Sequence, residues 1–268
     1  MRSKAIVALL AISLTGLPAG ASSAATPKGG LPPLPPLAKR CSAPGARATP
    51  FRFRASDGTL LDGAVLGRGR VGVVLAHEYF ADLCNWLPYG LFLSRAGFRV
   101  LLFDFRDFGL SSRVTGTRAA RLDADVRGAI AELRRRGAGK VVIVGASIGG
   151  SAVLAAAASS RPPVAGVVSI SAPDTRSLRA DLAEYAAALD PTAAAARIRS
   201  PLLFLHAKDD QIVPPTTSTR LYRAATVKDK RLVITPCCGH GTSLIDDPES
   251  GPSMRNLVLK FIRDHTGS

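Results

Sequence analysis

Residues Gly145-Ala146-Ser147-Ile148-Gly149 follow directly on Val141-Val142-Ile143-Val144, an unbroken β-branched run. Nothing else in this chain restricts its fold as much. A run of that kind predicts a strand buried on both faces. The residues after it, from Gly149 through Ala158, are small and predict a helix able to lie close against a sheet. A serine at the apex of so tight a strand-to-helix turn is held in a strained backbone conformation. Only Gly or Ala fits two residues to either side of it. The pattern is that of a nucleophile elbow, in which the hydroxyl is presented above the sheet.

The rest of the chain supplies the sheet. Strand-like runs recur at 51–54, 60–66, 71–76, 99–103, 141–144, 164–170, 202–206 and 231–234, the first two joined by a hairpin at Asp57-Gly58. Helix-like stretches lie at 81–96, 119–136, 147–159, 178–189, 192–198, 216–225 and 253–265. Apolar strands alternating with helices predict an α/β fold, a mostly parallel eight-stranded sheet flanked by helices. The segment between the sixth and seventh strands is short, which predicts a minimal cap.

The N-terminus reads differently. Arg2 and Lys4 precede an apolar stretch from Ala5 to Leu17, followed by Ala19-Gly20-Ala21-Ser22-Ser23-Ala24-Ala25. That is the order of a secretory signal, with cleavage after Ala21, Ala24 or Ala25. The apolar run is too short for a membrane span, which takes about 20 residues. The expected organisation is a signal peptide over 1–25, a Pro-rich tether over 26–50 and one domain over 51–268, giving a secreted protein. The tether, with Leu31-Pro32-Pro33-Leu34-Pro35-Pro36-Leu37, is expected to be extended and mobile.

The formal net charge is +15, of which Arg2 and Lys4 leave with the signal. Such a balance favours non-specific attraction to polyanions such as cell-wall polymer, nucleic acid or anionic lipid. The arginines are scattered apart from Arg52/Arg54 and Arg134-Arg135-Arg136, the latter closing an expected helix where cations complement the dipole. This reads as a solvated surface rather than a specific nucleic-acid interface. Four cysteines remain in the mature chain: Cys41, Cys84, Cys237 and Cys238. In an exported chain disulfides are expected. A Cys41–Cys84 bond would pin the end of the tether, and the adjacent Cys237 and Cys238 are either free or joined to each other. No Cys-x-x-Cys or His-x-His spacing points to a metal. The oligomeric state is not legible.

In a parallel sheet, chemistry collects on the loops at the carboxyl ends of the strands. Those loops hold His77-Glu78-Tyr79, the elbow, the string Lys208-Asp209-Asp210-Gln211-Ile212-Val213-Pro214, and Gly239-His240-Gly241. Asp104-x-Arg106-x-x-Gly109-x-Ser111 follows the fourth strand. Through these motifs the chain from about Phe51 onward resembles the α/β-hydrolases, close to the secreted serine esterases and the dienelactone-hydrolase-like group.

The resemblance implies a nucleophile, acid and base in the order Ser, Asp, His. A serine hydroxyl is a poor nucleophile and needs a base within hydrogen-bond reach. His240 fits that role, with Ser147 as nucleophile. Asp210, three residues before Val213, fits as the orienting acid, and Asp209 is its rival. The developing oxyanion needs backbone N–H donors, assigned to Ile148 and Tyr79. The implied substrate is a small or surface-presented carboxylic ester, with no metal or organic cofactor. The alternatives are a lactonase or peptidase of the same fold, or a catalytically silent fold that binds anionic cell-wall polymer. Two residues depart from the family pattern. Glu78 stands in a loop that usually reads His-Gly-x, where it would steer a cationic substrate, bond to the elbow or form a structural salt bridge. Asp107 stands at a usual Gly, and Asp tolerates positive φ well enough for that turn to survive. Asp104 and Arg106 read as braces for their loop, and His206 as structural. Trp86, Tyr79 and Phe80 are candidates for an acyl pocket, the core or the rim.

Overall fold

A computed structural model describes residues 32–176, 180–236 and 239–268. The expected signal peptide, the first part of the tether and Cys237-Cys238 lie outside the described residues. Eight strands form one sheet: β1 (Pro50–Arg54), β2 (Leu60–Leu66), β3 (Val71–Ala76), β4 (Arg99–Phe103), β5 (Lys140–Ala146), β6 (Gly166–Ile170), β7 (Leu202–Ala207) and β8 (Lys230–Thr235). Their spatial order is β1-β2-β4-β3-β5-β6-β7-β8. The strands from β3 to β8 pair in parallel, while β2 is antiparallel to both of its neighbours.

The helices are α1 (Leu37–Arg40), α2 (Leu87–Arg95), α3 (Leu122–Arg135), α4 (Ile148–Ser159), α5 (Ala180–Leu189), α6 (Pro191–Arg197), α7 (Thr216–Ala224), α8 (Ser243–Asp246) and α9 (Gly251–Thr266). They cover the sheet on both faces. Successive strand residues point to opposite faces, so Val141 and Ile143 of β5 enter one core with α3, α4, α6 and α7. Val142 and Val144 enter the other with α1, α2, α8 and α9. This double burial is why the central strands carry no polar alternation. No helix among the described residues is long and apolar enough to cross a membrane.

Two expectations are corrected. The stretch 81–96 is not one helix. Asp82 caps a 3-10 turn, Leu83–Trp86, by accepting from the Cys84 N–H at 2.8 Å, and α2 begins anew at Leu87. Pro88 lies in its first turn, where a missing N–H costs little. The mobile tether does not reach residue 50 either. Leu37 is buried in the core beside α2, Arg40 pairs with Asp62 and Asp104, and Cys41 is joined to Cys84. Proline sets a local preference for extended chain. One buried leucine, one shared cation and one cross-link override it.

The Arg40 cluster has an electrostatic imbalance. Burial, together with repulsion from Asp104, pushes the Asp62 carboxyl up to about 6 in spite of Arg40. Across the sheet, the buried Arg106 guanidinium bonds Asp125 at 2.6 Å, Asp57 at 2.8 Å and the Arg118 carbonyl at 2.7 Å. It therefore braces the loop after β4 against α3 and the β1–β2 hairpin, as the sequence predicts.

Candidate active site

Ser147 ends β5 and heads α4 with φ 52° and ψ −122°. The reason for the flanking glycines is steric. A Cβ on Gly145 would lie 2.2 Å from the Gly149 carbonyl oxygen, and one on Gly149 would lie 2.4 Å from that of His77. The Ser147 N–H donates to the Ile170 carbonyl at 2.8 Å, which ties the strained turn to β6. A non-glycine residue at positive φ is held there only by surroundings that over-determine it, and these contacts do so.

The loops after β7 and β8 bring the acid and the imidazole together. His240 Nδ1 lies 2.7 Å from Asp210 Oδ2. An ionised carboxylate only accepts, so Nδ1 carries the hydrogen and the Nε2 of the neutral ring keeps its lone pair. Asp209, the rival acid, instead accepts the Gly239 N–H at 3.2 Å. Asp210 Oδ1 accepts the N–H groups of Ile212 and Val213, each at 2.9 Å. Burial opposes ionisation of Asp210. The bonds from His206, His240 and the Val213 N–H outweigh it and hold the carboxyl well below the usual range.

His206 is structural, as expected, but its role is specific. Its Nε2 faces the Val213 carbonyl at 2.9 Å and Asp210 Oδ2 at 3.1 Å, so it carries the hydrogen. Its Nδ1 then accepts from the Ser218 hydroxyl at 2.7 Å. The acid is held by two histidines, His206 of β7 and His240 of the loop after β8.

Opposite the elbow, Ile148 is the first residue of α4, and its N–H has no intrahelical acceptor. The Tyr79 N–H has no backbone acceptor among the described residues. His77 fixes its direction. The Phe105 N–H donates to His77 Nε2 at 3.0 Å, so Nδ1 carries the hydrogen and donates to the Glu78 carbonyl at 2.7 Å. Burial drives the pKa of this ring down, so it stays neutral. The Glu78 carbonyl and the Tyr79 N–H belong to one planar peptide, so anchoring the first aims the second.

Among the described residues the Glu78 side chain forms no salt bridge and makes no hydrogen bond to the elbow. Its Oε1 accepts from the Thr242 hydroxyl at 2.8 Å and from Asn85 Nδ2 at 2.9 Å. A Cβ on Gly241 would lie 1.7 Å from Oε2. Glu78 thus clasps the loop of His240 to the loop of Tyr79. His77, Asn85 and Thr242 escape a reading of the sequence. His77 alone stands in a motif, and the Glu78–Thr242 pair is 164 residues apart.

A family model described as the alpha/beta hydrolase fold matches residues 73–195. A second, described as serine aminopeptidase S33, matches 175–247. The chain has the α/β-hydrolase fold, and its sequence matches that family over these segments. It is 28% identical over 252 residues to YfhR of Escherichia coli O157:H7, an uncharacterized protein, with 80% of each chain covered. Its fold is similar to that of a Pyrococcus furiosus esterase, with a TM-score of 0.70, 17% identity, and 87% of this chain and 97% of that one covered. It is also similar to a Paleococcus ferrophilus monoacylglycerol lipase, with a TM-score of 0.65, 22% identity, and 77% and 99% covered. At these identities the likeness is one of fold.

Around the site of this α/β-hydrolase fold, Tyr79 is the hub of an aromatic cluster. Its ring packs against Phe80 at 4.3 Å, Phe108 at 5.5 Å and Tyr185 of α5 at 5.7 Å. Phe80 is 83% exposed and sits at φ 59°, so it belongs to the rim, whereas Trp86 is core. Asp107 takes φ 67°, the conformation that a residue in place of the usual Gly has to adopt.

Proposed function

We propose that the protein is a serine hydrolase that cleaves carboxylic esters through an acyl-enzyme on Ser147. The observation that carries this reading is the 2.7 Å bond between His240 Nδ1 and Asp210 Oδ2, at the same end of the sheet as the strained serine. In this mechanism His240 Nε2 takes the Ser147 proton as Oγ attacks the ester carbonyl. Asp210, held ionised, stabilises the imidazolium that forms. The N–H groups of Ile148 and Tyr79 receive the oxyanion. His240 then returns the proton to the leaving alcohol, and a water molecule releases the acid by the same steps.

The short connection between β6 and β7, occupied by α5 and α6, favours small or surface-presented esters. The Cys41–Cys84 bond supports export by the 1–25 segment, since disulfides persist in oxidising compartments. The match to a serine aminopeptidase model over 175–247 makes amide cleavage the second reading. Both use the same serine, and parallel assays on an ester and the corresponding aminoacyl amide separate them.

The test is fluorophosphonate labelling of the folded protein, with the modified residue mapped by mass spectrometry. Label on Ser147 that disappears in His240→Ala is expected. Folded protein that takes no label overturns the mechanism and leaves the silent fold.

A further inference from the structure

The two ends of the sheet differ in charge. The loops leading into the parallel strands (67–70, 96–98, 136–139, 160–165, 198–201 and 225–229) hold six cations and one acid, Asp229. The segments after β3, β4, β6 and β7 (77–82, 104–121, 171–176 and 208–215) hold seven acids and six cations. The arginines look scattered along the sequence, but the fold brings several of them together at the amino end of the sheet.

At that basic end lies a groove of about 850 Å³, lined by Arg47, Arg68, Arg99 and Arg136 and by no acidic residue among those described. Ligand sites commonly enclose about 300–1,000 Å³, so the groove takes more than a lone tetrahedral anion. Its cations are partly pre-arranged. Arg99 Nη2 donates to the Arg68 carbonyl at 3.0 Å. Arg136 stands over the Phe51 ring at 3.9 Å and uses Nε on Glu132 at 2.6 Å. Arg47 and Arg68 are exposed. Guanidinium forks match the paired oxygens of a phosphoryl group, and four around one groove match a chain of them.

We infer that this groove binds an anionic chain bearing phosphoryl groups. Arg99 opens β4 and Arg136 follows α3, whereas Ser147 ends β5, so a seven-residue strand, roughly 20 Å, separates the two ends. The enzyme would be held to a polyanionic surface by one end while the other stays open to substrate.

The test is a titration of the full chain with linear polyphosphate, orthophosphate and polyglutamate across a salt series. Saturable binding of polyphosphate is expected. Arg47→Gln/Arg68→Gln should weaken it by about tenfold or more and lower the log K–log salt slope by about two, one per removed cation. The charge-matched Arg113→Gln/Arg176→Gln, on exposed positions at the other end, should stay within about twofold. Equal losses in both double variants, or polyglutamate bound as tightly as polyphosphate, would reduce the effect to diffuse attraction and overturn the site. Orthophosphate bound as tightly as the chain would reassign the ligand to free phosphate. Ester hydrolysis by Arg47→Gln/Arg68→Gln should be unchanged, so this inference and the Ser147 mechanism stand or fall separately.

Discussion

The carboxyl and amino ends of the sheet are built from the same strands and solve different problems. At the carboxyl end the charged groups are tied down. Asp210 is held by two histidines and two backbone N–H groups, Glu78 by Asn85 and Thr242, and Arg106 by Asp125 and Asp57. At the amino end four arginines line an open groove, and Arg47 and Arg68 among them are exposed. Proton transfer tolerates errors of only tenths of an ångström, so its groups need fixed neighbours. Attraction of a flexible polyanion is long-ranged and depends on the number of charges more than on their exact placing. The contrast teaches that charge count alone says little about a basic protein, because the acids here, though the minority, are held by fixed partners.

The largest effect should separate the two ends in function. Ser147→Ala and His240→Ala are each expected to lower ester hydrolysis by about 10³-fold or more, with thermal unfolding little changed. Arg68→Gln, measured in the same assay, should stay within about twofold of the wild type. A strong loss in Arg68→Gln would abolish the division of labour.

The next separates them in packing. Gly149→Ala forces a Cβ to 2.4 Å from a backbone oxygen and should cost about 3 kcal/mol or more in urea unfolding. Gly139→Ala, at the amino end, meets nothing within 4 Å and should change stability by less than about 1 kcal/mol. Similar costs at both positions would contradict the packing described.

A third prediction concerns pH. Asp62 titrates at about 6 in the fold, against about 3.9 in an unfolded chain. The folded state therefore binds the extra proton between those values, and this group's contribution to stability falls as pH rises through that window. Asp62→Asn removes that loss. Relative to wild type it should gain about 2 kcal/mol between pH 4 and pH 7. A gap that is constant with pH would show that Arg40 neutralises the cluster.

The smallest effect tests the clasp. Thr242→Val removes the hydroxyl that Glu78 accepts and should lower kcat about tenfold with KM nearly unchanged, because the loop of His240 is loosened and no substrate contact is lost. A change confined to KM would assign Thr242 to substrate binding instead.

The strands were legible because their burial on both faces leaves β-branched runs such as Val141–Val144 that admit little else. The elbow was legible because its chemistry is local: strand, glycine, serine, glycine, helix. The string that sets the acid three residues before Val213 points to Asp210 rather than Asp209, and the loop geometry turns the two acids to different partners, His240 and the Gly239 N–H. The packing of Leu37 was hidden by its prolines, because a local rule about extended chain says nothing of a distant core. The Glu78 clasp and the arginine groove were hidden for a related reason. Each joins residues far apart in the chain, and neither leaves a periodic trace.

The closeness of Gly241 to the Glu78 carboxylate makes those two positions a single evolutionary choice. With Glu at 78, any Cβ at 241 would occupy the place of the carboxylate oxygen. A relative that carries a side chain at the position of Gly241 should therefore carry a small residue at the position of Glu78, with the change at 78 coming first or alongside. A lineage that drifts to alanine at 78 first would be free to remodel the loop of His240, whereas one that keeps the glutamate would have that loop's conformation inherited along with it.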